Sequence, residues 1–406
     1  MLPAIFHRLT VVAAGFRSAD QLMVAGTPLV VAALFGAGPE IVGLIVAIQG
    51  SAWLLVSLPV GVMVDRIAPL VGMKRGMVLA VAGVAVAMAG LALHNLPLFA
   101  MGTFVSASAA VVGFLSESAS VQSIVPGTDL PRANARLQLV QSAAMLAGPA
   151  IMGYAVLKGL TFAAYGLALA LAVAGLIVAI GFGSQPSRLP KPRAPKPHAL
   201  LSEIAEGFDF VRAQPLLMGI VACALFWNMA FFALMAVFVP FALGPVGLDA
   251  GQAGLAQSAM GIGSLAAALT AAHALSKLSP RVILAFGPAS SLVASILLVL
   301  SPSGSIALPV ISFALLGFGP ILWFVCQNSI RQLVTPAGLL GRVGSVIQVA
   351  IYGVRSIGAL VGGIVAARAG FDAALMMVVV LFALSAASVF GSALGSLREM
   401  PSALRA

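Results

Sequence analysis

Asp20 stands about ten residues into the first long apolar run, roughly 15 Å deep at 1.5 Å per residue. Arg17 and Gln21 lie within one helical turn of it on the same face. Arg355 is as central in a late apolar run, with Gln348 and Tyr352 stacked along its stripe. Ionisable side chains at that depth are expensive to keep and mark function. A carboxylate whose arginine partner comes and goes with conformation is a workable proton switch. Asp20 is therefore the first candidate for a coupled proton, and Arg355 would either trade with it or hold an anionic group. Glu117, at the end of the fourth run, is the next candidate. A permanent Arg17–Asp20 structural pair is the competing reading.

No constellation for covalent or acid–base catalysis stands beside these residues, and an enzyme is not expected. Gly261-Ile-Gly263-Ser-Leu-Ala266 imitates a dinucleotide-binding turn but falls in an apolar run with no strand before it. No GxxxxGK[ST] sequence occurs, which argues against direct drive by ATP. Cys223 and Cys326 both lie inside apolar runs, so neither a disulfide framework nor a metal site is expected. His94 and His273 are isolated near the ends of runs. No cofactor is called for.

The elements that hold these residues are membrane helices. Of 406 residues, 61% are hydrophobic and 8% charged, and mean hydropathy is +1.13. A soluble core of this length would need a polar shell that such a composition cannot supply. Apolar runs near the ~20 residues that cross a bilayer recur throughout, giving about twelve spans. They are expected at 10–35, 41–64, 75–94, 97–120, 133–157 and 160–183, then at 215–243, 250–275, 281–301, 305–330, 342–366 and 371–395. The net charge of +10 does not indicate nucleic acid. Arg66, Lys74, Arg75, Arg132, Arg136, Arg188, Lys191, Arg331 and Arg342 fall in alternate connections, while the opposite ones hold little beyond Lys158 and Arg368. This positive-inside bias puts both termini and the central loop in the cytoplasm. The first run lacks a cleavage site and reads as a retained helix. Arg outnumbers Lys, and Ala, Gly and Val dominate, which points to a bacterial source and hence an inner membrane.

The chain also repeats itself. Val121–Gly153 recurs without a gap at Arg331–Gly363, a period of about 210 residues. Gln122 meets Gln332, Pro126 meets Pro336, Arg132 meets Arg342, Gln138 meets Gln348 and Gly153 meets Gly363. With a slip of a residue or two, Gly43 matches Gly254 and Gly50 matches Gly261. The expected organisation is an N-terminal six-helix bundle over 1–183, a cytoplasmic linker over 184–214 and a C-terminal six-helix bundle over 215–406. In the linker, SQPSRLPKPRAPKP should be extended and solvated. Leu201, Ile204, Phe208 and Val211 follow at helical spacing, with Glu203, Glu206 and Asp209 largely opposite. That pattern predicts a short amphipathic helix on the cytoplasmic surface, with a plain tether as the alternative.

The connection after the second span reads Gly61-Val-Met-Val-Asp65-Arg66, followed by Lys74-Arg75. It resembles the signature of the major facilitator superfamily, although Ile67–Met73, containing Pro69, is longer and more apolar than usual. Gly61 would permit close helix contact. Asp65 could accept from the free N–H groups that open the helix near Arg342. Arg66 could pair with Glu117, as acidic partners do in such transporters. Together these residues would form a cytoplasmic gate; a topology-setting loop of solvated charges is the alternative. Leu130-Pro-Arg-Ala-Asn134, Gly148-Pro149-Ala-Ile-Met-Gly153, Glu206-Gly-Phe-Asp-Phe-Val211 and Leu340-Gly-Arg-Val343 resemble the branch that includes the enterobactin exporter and macrolide efflux proteins, the transmembrane secretion effector type. Gly148, Pro149 and Gly153 also resemble the antiporter motif of the fifth helix, with only part of its glycine ending. Pro149 should kink that helix, while the glycines let a neighbour approach.

The resemblance implies twelve transmembrane helices in two bundles related by a parallel repeat. It also implies a central cavity lined by helices one, two, four, five, seven, eight, ten and eleven. Candidates for that cavity are Arg17, Gln21, Gln49, Gln138, Gln141, Trp227, Asn228, Gln257, Gln327, Gln348 and Tyr352, with Gln138 and Tyr352 foremost. Phe226, Trp227, Phe231 and Phe232 form an aromatic run, and Trp323 lies in a later span. The function expected is proton-coupled export of small amphipathic organic molecules by a monomer whose partners are its solute, protons and membrane lipids. An importer or facilitator of a nutrient or lipid-derived solute is the alternative within transport. A receptor or scaffold that moves nothing is the rival outside it.

Overall fold

A computed structural model describes residues 2–67, 69–126, 129–182, 199–336 and 339–401. Its helices are α1 (Ala4–Ala33), α2 (Pro39–Arg66), α3 (Pro69–Ala92), α4 (Leu96–Ile124), α5 (Leu130–Leu157), α6 (Thr161–Ile180), α7 (Ala199–Ala213), α8 (Pro215–Leu243), α9 (Ala250–Lys277), α10 (Pro280–Val299), α11 (Ala307–Val334) and α12 (Leu340–Phe390). A 3₁₀ turn at Ala393–Ser396 follows. No strand forms among the described residues. In hydrocarbon every backbone N–H and C=O must be satisfied within the segment, and the helix does this without partners. Among the described residues, ten helices are long and apolar enough to cross a membrane. The thirty-residue α1 is not one of the ten, because Arg17, Asp20 and Gln21 dilute its middle.

Local signals set the helix ends. Asp249 accepts from Gln252 N at 2.8 Å, and Gln252 Oε1 accepts from Asp249 N at 3.0 Å, a reciprocal cap that opens α9. Proline with its preset φ opens α2, α8 and α10. Pro69 does the same for α3, so the connection after α2 is shorter than the sequence suggested and Lys74 and Arg75 lie within the helix. Lys74 Nζ donates to Phe182 O at 2.8 Å, satisfying a carbonyl just beyond α6.

The sequence separated spans at 342–366 and 371–395, whereas α12 runs over 51 residues. Laid straight it would reach about 75 Å, more than twice a hydrocarbon core of about 30 Å. The break expected there is a single residue: Gly370 has φ 88° and ψ 168°, a conformation reserved for glycine.

The linker segment forms the helix α7 (Ala199–Ala213) and docks by its C-terminal end. Val211 is buried with Leu217, Ile220 and Val343, and Phe210 packs partly against the same cluster. A Cβ on Gly207 would lie 2.9 Å from Arg342 O. Phe208, on the apolar stripe with Val211, is 53% exposed on the protein, as an interfacial residue of a surface-lying helix would be. The side chains of Leu201 and Ile204 lie outside the described residues.

The main crossings between the first and second halves are α2 on α12 and α5 on α9. Each is made by glycine. A Cβ on Gly43 would sit 2.7 Å from Ala359 O and 2.9 Å from Gly363 Cα. A Cβ on Gly153 would sit 2.5 Å from Ala250 O and 2.9 Å from Gly254 Cα. All four glycines lie toward the ends of their segments remote from the chain termini. On the opposite face the helices are apart: a Cβ on Gly61 or Gly344 would meet nothing within 4 Å. The close contact expected at Gly61 is therefore absent, because α2 and α12 diverge toward the face that carries α7.

Candidate functional site

Two cavities lie at the centre, of about 480 Å³ and 590 Å³. The walls of the first come from α1, α2, α4, α5, α8, α9, α11 and α12. Asp20 and Gln21 face it from α1, Gln49 and Trp53 from α2, and Gln141 and Pro149 from α5. Trp227 and Asn228 of α8, Gln257 of α9 and Arg355 of α12 complete its polar and aromatic lining. The second cavity lies toward the open face and is walled mostly by the second half, with Trp53 and Phe114 from the first; Gln327 and Arg331 face it near the end of α11 and Gln348 and Tyr352 near the start of α12. Arg355, Trp53, Trp227 and Asn228 line both cavities.

Arg355 sits at the junction. Its Nε donates to Asn228 Oδ1 at 2.9 Å, and Asn228 is oriented by its own Nδ2, which donates to Ala224 O at 2.8 Å. Three rings surround the guanidinium, with centroids at 4.7 Å for Tyr352, 5.1 Å for Phe232 and 5.9 Å for Trp53. Cation–π attraction of this kind strengthens as water is removed. Trp227 is fixed by donation from Nε1 to Ser291 Oγ at 2.9 Å and by stacking on Phe231 with centroids 4.9 Å apart.

Behind the first cavity, Arg17 is committed to the first half. Its Nη2 and Nε donate to Glu117 Oε1 and Oε2 at 2.5 Å and 3.2 Å, and its Nη1 donates to Gln141 Oε1 at 2.6 Å. Glu117 is 5% exposed. The partner expected for Glu117 was Arg66; in this conformation the carboxylate is taken by Arg17 in a two-pronged pair. The Arg17–Asp20 pair, the competing reading above, also gives way, since no Lys or Arg among the described residues is within salt-bridge distance of Asp20. The carboxylate facing the cavity is thus distinct from the one locked behind it.

The expected gate divides. Arg342 Nη1 donates to Glu206 of α7, which ties the linker helix to the start of α12. The side chains of Asp65 and Arg66 lie outside the described residues. In α5, Gly148 and Gly153 serve different neighbours: a Cβ on Gly148 would lie 2.9 Å from Gln21 Cβ of α1, while Gly153 meets α9. Pro149 stands inside a continuous helix between them.

Of the residues proposed for the cavity, Gln21, Gln49, Gln141, Trp227, Asn228 and Gln257 line the first, and Gln327, Gln348 and Tyr352 the second. Gln138, one turn nearer the open face than Gln141, lines neither. Arg331, Asn328 and Trp53 also line these cavities, and none is among the sequence candidates. Arg331 was counted with the topological charges, yet it faces the second cavity with Gln327 and Asn328 on one stripe of α11. Trp53 was passed over, although it follows Gln49 by one turn.

A family model described as "Major Facilitator Superfamily" matches residues 9–359. Among curated protein sequences, none matches the chain. Solved structures share the fold at low identity. A POT family transporter in complex with 5-aminolevulinic acid is 15% identical, with TM-score 0.78 and 96% of each chain covered. A bacterial homologue of iron transporter ferroportin in inward-facing state is 13% identical, with TM-score 0.74 over 96% of this chain and 99% of that one. The nucleoside transporter NupG is 12% identical, with TM-score 0.70 over 95% and 98%.

Proposed function

This chain belongs to the major facilitator superfamily, and from that premise we propose that it exports small amphipathic organic molecules by proton-coupled alternating access. The observation that carries the reading is that Asp20 and Arg355 both line one cavity walled by both halves. Asp20 would take and release the proton while the halves rock about the cavity. Arg17 would stay with Glu117 throughout, holding α1 to α4 so that the first half moves as one body.

The architecture proposed is twelve spans in two bundles of six. It counts α1 as a span despite its polar middle and divides α12 at Gly370. Duplication is supported by the crossings themselves: Gly43 matches Gly254 in the repeat and Gly153 matches Gly363, so each crossing is the other with its partners exchanged. The face bearing α7 and the termini would be cytoplasmic, in a bacterial inner membrane, and the conformation described would be open to that side. The motifs favour the exporter branch that includes the enterobactin exporter and macrolide efflux proteins. A single copy contains the whole cavity, which suits a monomer.

The test uses proteoliposomes with an imposed pH gradient and an internal pH dye, challenged with amphipathic drugs and catecholate siderophores. Solute-triggered proton movement in the wild type, lost in Asp20→Asn while binding persists, is the expected result. Equal proton movement in both proteins would remove Asp20 from the role. Solute movement that ignores the gradient would overturn proton coupling in favour of a facilitator.

A further inference from the structure

The two cavities are unequal in charge. Among the described residues the second is lined by Arg355 and Arg331 and by no carboxylate, and the first adds Asp20. Arg17 shows what an arginine in this protein looks like when the protein itself supplies the counter-charge: three of its nitrogens donate to Glu117 and Gln141. Arg355 is different. A guanidinium carries five N–H donors, yet only Nε finds an acceptor, the neutral Asn228. The surrounding rings stabilise its charge without occupying a single N–H. A half-buried cation left with free donors in a membrane cavity is an arrangement that an anion from outside would complete.

Neutral groups in the same walls are also incomplete. Gln49 Nε2 and Gln257 Oε1 are buried without a partner, in side chains 8% and 7% exposed, and both residues line the first cavity. Their amides can turn, so each can offer either a donor or an acceptor. Trp323 Nε1 is likewise unpartnered in the second cavity. All three tryptophans of the chain line these two spaces.

We propose that the cargo is an aromatic organic acid carried as its anion. Arg355 holds the carboxylate in the planar, two-pronged manner suited to a guanidinium, and Trp53 and Trp227 flank the ring. Arg331 attracts the same charge from the open face, and Gln49 and Gln257 read a polar substituent. Cationic amphipaths, which an acidic cavity would favour, are disfavoured here. This assignment rests on reading the cavity as a transport site and narrows its solute.

The tryptophans allow a direct test, because bromine quenches tryptophan emission on contact. Purified full-length protein is titrated, without any gradient, with para-bromophenylacetate, the neutral para-bromophenylacetamide and the cationic para-bromophenethylamine. Saturable quenching by the acid is expected, at least roughly tenfold tighter than by the amide or amine. Arg355→Gln should erase that preference, Arg355→Lys should keep part of it, and Arg331→Gln should weaken acid binding less. Equal binding of the three probes, tightest binding of the amine, or no saturable quenching by the acid overturns the proposal. So does an acid preference that survives Arg355→Gln; if that variant does not fold, an unchanged preference in Arg331→Gln overturns it instead. Acid binding through Arg355 with no proton movement in liposomes would sink proton coupling and leave the assignment of the solute standing. An amine that moves protons would do the reverse.

Discussion

Alanine at Gly43 and Gly153 should drive the protein toward the conformation open on the face remote from its termini. Each added Cβ would fall within 2.9 Å of backbone atoms on the facing helix, and backbone cannot swing aside as a flexible side chain can. Overpacking of this kind costs typically about 1–3 kcal/mol. Alanine also favours any helix by roughly 0.5–1 kcal/mol over glycine, but α2 and α5 are helical in both conformations, so that gain cancels. Each variant should therefore shift the balance by a factor of about 5–150. The crossings are separate, and the double variant should approach the sum, about 2–6 kcal/mol. Moving an equilibrium from one extreme to the other takes roughly 5.5 kcal/mol, which only the upper end of that range reaches, so a large but partial shift is expected. Spin labels at Glu40→Cys and Arg368→Cys, both exposed beside the α2–α12 crossing, would report the separation, with Cys223 and Cys326 buried. The expected result is a longer-distance population that grows from each single variant to the double. An unchanged distance distribution in the double variant would refute the claim that glycine contact holds this face shut.

Further outcomes follow from other contacts. Glu117→Gln leaves the Arg17 guanidinium buried beside a neutral amide and should destabilise the protein by about 3–5 kcal/mol, read as a lowered melting temperature in detergent. The paired replacement Arg17→Met with Glu117→Leu should recover most of that loss, and no recovery would count against a purely structural pair. Asp249→Ala removes the cap of α9 and should cost about 0.5–2 kcal/mol, visible as faster amide hydrogen exchange over residues 250–253. Glu206→Ala breaks a solvent-facing pair and should change stability by no more than about 1 kcal/mol; a larger fall in melting temperature would assign α7 a greater structural share.

Much of the fold was legible because the bilayer leaves the backbone so few choices. Apolar runs and turn residues sufficed for nearly every helix, and proline explains the early start of α3 once it is read as an opener rather than a loop residue. The glutamines and Asn228 stood out because a polar side chain in hydrocarbon needs a reason. Tertiary pairing was a different matter. Glu117 could be assigned to Arg66 or Arg17 with equal justice from sequence, and only the packing of α1 against α4 decides. Arg331 was hidden by its kind, since an arginine near a helix end serves topology as readily as a binding site. Gln138 and Gln141 differ by one turn, and the depth of the cavity separates them. The docking of α7 depends on Gly207, whose role is visible only with the backbone of Arg342 beside it.

Gly370 has a mechanical consequence. Five residues connect α1 to α2 and six connect α8 to α9, but a single residue interrupts α12. One residue provides a change of direction without slack. Any displacement of the segment bearing Arg355 and Gly363 must therefore be handed on to the segment after Gly370 within the same step. Such a joint behaves as a welded corner rather than a hinge pin. It removes degrees of freedom from the second half.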